Sequence, residues 1–221
     1  RAVASHTGSL ASTPIMWDTV IRQCGAIKVN NLNEMVDTVK ALLYLKPPAG
    51  NRVGLVADSG GQSVVITDAF TREGLAVPLL SDRSYTEFAS FFSIIGGSYL
   101  NPLDISWNLV ATEGLTKILN IVSSDENIDT TIFEVSVPFL SDFWEHNPTY
   151  LHTLLETLAD FKTKSPKSFA VVLTPGQKET EAIRVRGELI EMGLASFPSF
   201  ERAARAVKNI TEHHRFHRGN G

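Results

Sequence analysis

Arg52-Val53-Gly54-Leu55-Val56-Ala57, followed directly by Asp58-Ser59-Gly60-Gly61 and then by the segment Gln62 to Arg72, decides the fold of this chain. The first six residues are a short apolar run with turn-forming residues on both sides, the pattern of a strand buried on both faces. Gln62 to Arg72 reads as a helix stopped near Gly74. A buried strand, a glycine turn and a helix in that order are the front of a doubly wound α/β unit.

Downstream the alternation continues. Leu75 to Leu79 is a candidate second strand, Tyr85 to Ile95 a helix stopped by Gly96-Gly97, and Leu109 to Val122 a helix after the loop Asn101-Pro102-Leu103-Asp104. Thr130 to Val135 and Ser168 to Leu173 are the clearest further strands, with helices at Thr149 to Lys162 and Glu179 to Met192. Ala195 to Phe197 is a short strand, and Ser199 caps a last helix reaching about Thr211. Strands separated by single helices predict a parallel sheet with right-handed crossovers and helices on both faces.

Upstream, Lys46-Pro47-Pro48-Ala49-Gly50-Asn51 has the composition of a linker. Before it, Ser12 and Pro14 open a helix with Ile15, Trp17, Val20, Ile21 and Cys24 on its apolar face. Ala26 to Val29 reads as a short strand, and Leu32 to Leu45 as a helix whose buried stripe is Met35, Val36, Val39, Leu42 and Leu43. Helix, strand and helix cannot close a domain, so this part reads as a remnant of another α/β domain. The start at Arg1-Ala2-Val3-Ala4 is abrupt, as if an upstream part were missing.

Composition narrows the function. The 221 residues are 43% hydrophobic and 20% charged with a formal net charge of −4, which gives no general attraction to nucleic acid or to an anionic membrane. No apolar run approaches the roughly 20 residues that span a bilayer, and a cytoplasmic location is expected. Cys24 is the single cysteine, which rules out an intrachain disulfide, and its helix position predicts a buried thiol. His213, His214 and His217 fall in a polar, glycine-ended tail, and no metal site is expected there or elsewhere.

Two stretches carry chemistry. Ser5-His6-Thr7-Gly8-Ser9-Leu10-Ala11-Ser12 sets one histidine among small hydroxyl and glycine residues just before a helix. A neutral imidazole is a nucleophile toward phosphorus, and glycine lets backbone N–H groups approach phosphoryl oxygens, so His6 is a candidate phosphohistidine. Asp58-Ser59-Gly60-Gly61 lies where doubly wound sheets bind ligands, with the positive end of the following helix aimed at an anion; as a turn alone it serves packing equally well. Its glycine spacing is too short for a dinucleotide fingerprint.

Together Ser5-His6-Thr7-Gly8-Ser9-Leu10-Ala11, Arg22-Gln23-Cys24-Gly25, Ala26-Ile27-Lys28-Val29, Asn33-Glu34-Met35, the Pro-Gly linker, Asp58-Ser59-Gly60-Gly61-Gln62, Gly74-Leu75 and Asn101-Pro102-Leu103-Asp104 resemble the NDP-forming acyl-CoA synthetases, relatives of succinyl-CoA synthetase that include ADP-forming acetate-CoA ligase. The resemblance implies a flavodoxin-like ligase domain over 51–213, preceded at 1–47 by the end of a succinyl-CoA-synthetase-like domain with its phosphohistidine loop, and a flexible tail over 214–221. It implies a reaction in which acyl-CoA, ADP and phosphate become acid, CoA and ATP through an acyl phosphate and a phosphohistidine. His6 matches the phosphorylated histidine, Gly8 and Ser9 its swinging loop, and Gly60, Gly61 and Gln62 the glycine turn that binds phosphate. Asn101 and Asp104 are a possible active-site loop.

The same resemblance implies CoA, ATP or ADP and Mg in a complete oligomeric enzyme, with a CoA-binding domain and an ATP-grasp domain or subunit as partners. Neither domain is found in these residues, so no cofactor is expected in this chain, and the chain alone is expected to be inactive. Two departures stand out. Ala11-Ser12 replaces a frequent alanine-glycine, and Ser136-Val137-Pro138-Phe139-Leu140 lacks the paired glycines of succinyl-CoA synthetases, which argues against succinate. Phe139, Phe143 and Trp144 fit either a pocket for a bulkier acyl group or plain core packing. The alternative function is a non-catalytic acyl-CoA-sensing module of the kind fused to protein acetyltransferases, against which the presence of His6 in its motif speaks.

Overall fold

The computed structural model describes residues 14–105 and 112–219. Its centre is a five-stranded parallel sheet in the order β2-β1-β3-β4-β5, with β1 Val53–Ala57, β2 Leu103–Asp104, β3 Thr130–Ser136, β4 Ser168–Thr174 and β5 Ser196–Phe197. This is the flavodoxin-like strand order of a doubly wound sheet. Val53 to Val56 pair in register with Thr130 to Phe133, and Thr130 to Ser136 with Ser168 to Thr174. β1 is buried along its whole length, as are β3 and β4 up to their last residues, which explains their continuous apolar runs.

The described helices are α1 Pro14–Cys24, α2 Leu32–Tyr44, α3 Gly60–Arg72, α4 Asp82–Ala89, α5 Thr112–Ser124, α6 Val137–His146, α7 Pro148–Lys164, α8 Glu179–Glu191 and α9 Phe200–Gly219. The sheet alternates its side chains between two cores. Val56, Phe133, Val135, Val171 and Leu173 pack under α4 to α8, whereas Val53, Leu55, Ile132, Ala170 and Val172 pack under α2, α3 and α9. Gly54 lets α5 lie close: a Cβ there would come within 2.4 Å of Val122 Cγ1.

Several local expectations are corrected. Ala26 to Val29 forms no strand, because no neighbouring strand among the described residues offers it a ladder. Leu75 to Leu79 shrinks to one parallel bridge, Ala76 to Arg52, and the place beside the other end of β1 is taken by Leu103–Asp104. Helix α6 starts at the residue after β3, with Pro138 in its first turn, where proline costs no hydrogen bond. Helix α9 runs to Gly219, so the described residues of 214–221 are helical.

The apolar faces of the first two helices are not what buries them. Met35, Val36, Val39, Leu42 and Leu43 are exposed, and so is Cys24. Instead α2 docks on α9 through Ala41 and through a polar seam: Asp37, 2% exposed, takes two hydrogen bonds from the Arg202 guanidinium at 2.5 and 3.0 Å, and Asn209 Nδ2 donates to Thr38 Oγ1 at 2.9 Å. Phe216 lies against Gly25, and the His213 ring lies 2.9 Å from the Gly25 carbonyl, which holds the end of α1 on the far part of α9.

The gap between Ala76 and Leu103 along β1 is filled by a side chain. Asn101, 7% exposed, accepts the Leu55 N–H at 2.9 Å and donates to the carbonyls of Val53 at 3.0 Å and Pro78 at 2.7 Å. The Asn101-Pro102 peptide bond is cis. Asn101→Ala leaves these buried backbone groups without their partner, and we expect a loss of about 3 kcal/mol of stability in urea denaturation. An unchanged midpoint would show that solvent replaces the amide.

Candidate functional site

In a sheet of this order the connections from β1 leave to opposite faces on its two sides, which opens a crevice beyond the carboxyl ends of β1 and β3. Two helices start there. Ser59 caps α3, its side chain accepting the Gln62 N–H at 3.4 Å, while α6 begins at Val137 without a side-chain cap. Gly60 and Gly61 are exposed, and nothing lies within 4 Å of the place a Cβ on Gly61 would occupy. The first turn of α3 therefore presents its amide end openly to the crevice and carries no acidic side chain.

Gly60, Gly61 and Gln62 thus lie together, and Asp104 joins them: a Cβ on Gly60 would stand 3.1 Å from Asp104 Oδ2. Asn101 does not belong to this group. Its amide is committed to the backbone of β1 and of Pro78, which makes it a structural residue of the sheet edge. His6, Gly8 and Ser9 lie outside the described residues. Trp144 is in the core with its indole N–H donating to Glu181, whereas Phe139 and Phe143 are exposed. Among the described residues no group of three or more His, Cys, Asp or Glu is placed to hold a metal. No described helix is long and apolar enough to cross a membrane.

Two acids that the motif reading passed over sit beneath the turn. Asp58 is 3% exposed and Glu134 fully buried. They are interlocked: Glu134 Oε2 accepts the Asp58 N–H at 3.0 Å, Asp58 Oδ2 accepts the Ser136 N–H at 3.2 Å, and Thr174 Oγ1 donates to Glu134 Oε1 at 2.9 Å. Burial first, then the negative charges of Glu134 and Asp104, push the Asp58 carboxyl up to about 8, against the pull of the Ser136 amide. Burial also raises Glu134, opposed by the Asp58 amide and the Thr174 hydroxyl, and the Tyr150 phenol is raised by burial and by the charge of Asp58. The sequence signal for this pair was an acid, Glu134, in the middle of an otherwise buried strand.

A family model described as "Succinyl-CoA ligase like flavodoxin domain" matches residues 1–42. The alpha subunit of an ADP-forming acetate-CoA ligase II from Pyrococcus furiosus is 30% identical over 139 residues, covering 62% of this chain and 30% of the relative. The alpha subunit of the corresponding enzyme I from the same organism is 26% identical over 211 residues, 95% of this chain and 43% of the relative. These matches support a likeness of this chain to the NDP-forming acyl-CoA synthetases.

The fold agrees with this family. A solved dinucleotide-forming acetyl-coenzyme A synthetase 1 from Candidatus Korarchaeum cryptofilum, in complex with phosphate and ADP, superposes with a TM-score of 0.76 at 22% identity over 97% of this chain and 44% of that one. The chain spans less than half the length of these relatives.

The buried acid makes stability depend on pH. Folded Asp58 keeps its proton to about 8, whereas in the unfolded chain it ionises near its ordinary value of about 4. Its contribution is therefore complete below the unfolded value and is lost at about 1.4 kcal/mol per pH unit as pH rises toward the folded one. Asp58→Asn keeps an oxygen for the Ser136 amide and carries no charge. Its melting temperature relative to wild type should climb between pH 5 and 8; a constant offset over that range would contradict the assignment.

Proposed function

We propose that this chain is part of an acyl-CoA synthetase of the ADP-forming acetate-CoA ligase type, an acid-thiol ligase, with His6 as phosphoryl carrier and the turn of Gly60, Gly61 and Gln62 as one station for the phosphoryl group. The observation that carries this reading is the open amide end of α3 at the β1–β3 crevice, in a chain related to enzymes named as ADP-forming acetate-CoA ligases. Burial holds Asp58 neutral up to about 8, so Asp58, one of the two acids beneath the turn, adds little negative charge of its own to oppose an incoming anion at neutral pH.

In the acid-forming direction, a phosphate oxygen attacks the thioester carbon and the C–S bond breaks, releasing CoA. The His6 imidazole then attacks phosphorus, and the acyl carboxylate leaves as the P–O bond breaks. Finally a terminal oxygen of ADP takes the phosphoryl group, the N–P bond breaks and His6 is restored. Amides fixed at a helix start stabilise the phosphoryl oxygens without reorganising, and Gly8 and Ser9 would let the loop of His6 approach them. Asp104, beside Gly60, is a candidate to orient the turn.

On this reading residues 1–47 complete one α/β domain and 51–213 form the ligase domain. CoA, ATP or ADP and Mg are bound with the help of a CoA-binding domain and an ATP-grasp domain or subunit, in an oligomeric cytoplasmic enzyme. Radiolabelled ATP and magnesium given to the complete enzyme should label His6 with phosphate that survives alkali and is lost in acid. His6→Asn should abolish both label and acyl-CoA formation. Label on His146, His152 or the histidines of α9, or normal turnover of the variant, would overturn the proposal.

A further inference from the structure

We propose that Asp58 and Glu134 form a proton-dependent latch: a proton held on Asp58, beside buried Glu134, keeps the β1–α3 turn clasped to the β3–α6 junction, and its departure to solvent lets them part. The geometry is reciprocal. Each acid accepts a backbone N–H from the other's segment, Glu134 that of Asp58 and Asp58 that of Ser136, so the same two side chains tie the turn to the junction. Glu134 is tied further to β4 through Thr174. The β1–β3 ladder does not do this, because its paired register ends at Val56 and Phe133, before the turn and the junction.

The two side chains are buried at 3% and 0% exposure, and two negative charges at such a place repel strongly in the low dielectric. Glu134 holds two donors, the Asp58 amide and the Thr174 hydroxyl, that favour its charged form, which leaves the proton to Asp58. The titratable groups acting on Asp58 add to the effect: Asp104 on β2 is another acid, and Tyr150 on α7 is neutral in this range. The first turns of α3 and α6 bring no acidic side chain, and Lys178, beyond β4, is engaged by Asp142 and Glu145 on α6. Opening lets Asp58 pass its proton to water, so each step up in pH makes opening easier until the folded chain itself ionises at about 8.

The latch needs no ligand, so its test is independent of the chemistry proposed for His6. Hydrogen exchange of the 221-residue chain, corrected for the intrinsic pH dependence of exchange, reads the amides of Asp58 and Ser136 against that of Val171 in the sheet interior. Protection at the two latch amides should lie below that at Val171 throughout, fall by about tenfold per unit between pH 5.5 and 7.5, and level off above the ionisation of the folded chain. Asp58→Asn should remove the pH dependence. Glu134→Gln keeps an acceptor for the Asp58 amide but lifts the like charge, and should move the levelling point to lower pH. Protection independent of pH in the wild type, equal protection at all three amides across the range, or a levelling point unmoved in Glu134→Gln would each overturn the latch.

Discussion

The pairing of β1 with β3 is the constraint on which the rest of this structure depends. Both strands are buried on both faces and run parallel, so their connections must leave the sheet and return through helices. With right-handed crossovers, α3 covers one face on the way from β1 to β2, and α5 to α8 cover the other on the way from β2 to β5. The crevice between the carboxyl ends of β1 and β3 follows from this topology and would exist whatever residues filled it. Its contents are then a matter of which side chains the last residues of the two strands carry.

The same burial creates a difficulty at both margins of β1. On the β2 side the neighbouring strand is divided between Ala76 and Leu103, which leaves backbone groups in the middle without a ladder. Asn101 solves this with one amide that both accepts and donates, a role only asparagine or glutamine fills. At the carboxyl end the amides of Asp58 and Ser136 need acceptors in a place water does not reach. Here the chain uses two carboxyl groups, and because two charges side by side in the core would be costly, Asp58 keeps its proton while accepting the Ser136 amide.

Much of this fold was legible because burial on two faces writes itself plainly into a strand. Val53 to Ala57, Thr130 to Val135 and Ser168 to Leu173 are nearly continuous apolar runs, and the glycine and serine signals at Ser59 and Gly74 bound α3. What failed depended on partners that local pattern does not record. Ala26 to Val29 has strand composition and no ladder, whereas Leu103–Asp104 is too short to be noticed and is a strand because β1 lies beside it. Helix α6 was hidden by Pro138, which looks like a breaker until its place in the first turn is known. Periodicity misled most in α2, where the apolar stripe of Met35, Val39 and Leu42 is exposed and an ion pair between Asp37 and Arg202 holds the helix.

The candidate site divides in the same way. Gly60, Gly61 and Gln62 are adjacent in sequence, and a glycine turn after a buried strand names its own position in a doubly wound sheet. Asp104 required the fold, since only the β1–β2 pairing brings it to Gly60. Asn101, its neighbour in the same short motif, proved structural, because a motif transmits spacing and not the direction in which each side chain points. Asp58 and Glu134 stand 76 residues apart, and neither is unusual alone: an acid in a turn is ordinary, and an acid in a strand is ordinarily at an edge. Their meaning arises when parallel pairing seats Glu134 beside the turn that follows β1, where each supplies what the other's backbone lacks and both must contend with one another's charge. The electrostatics of the crevice are thus a property of strand register, and a reading of motifs alone, however specific, sees the amides that would attract an anion but not the acids that govern how strongly they do so.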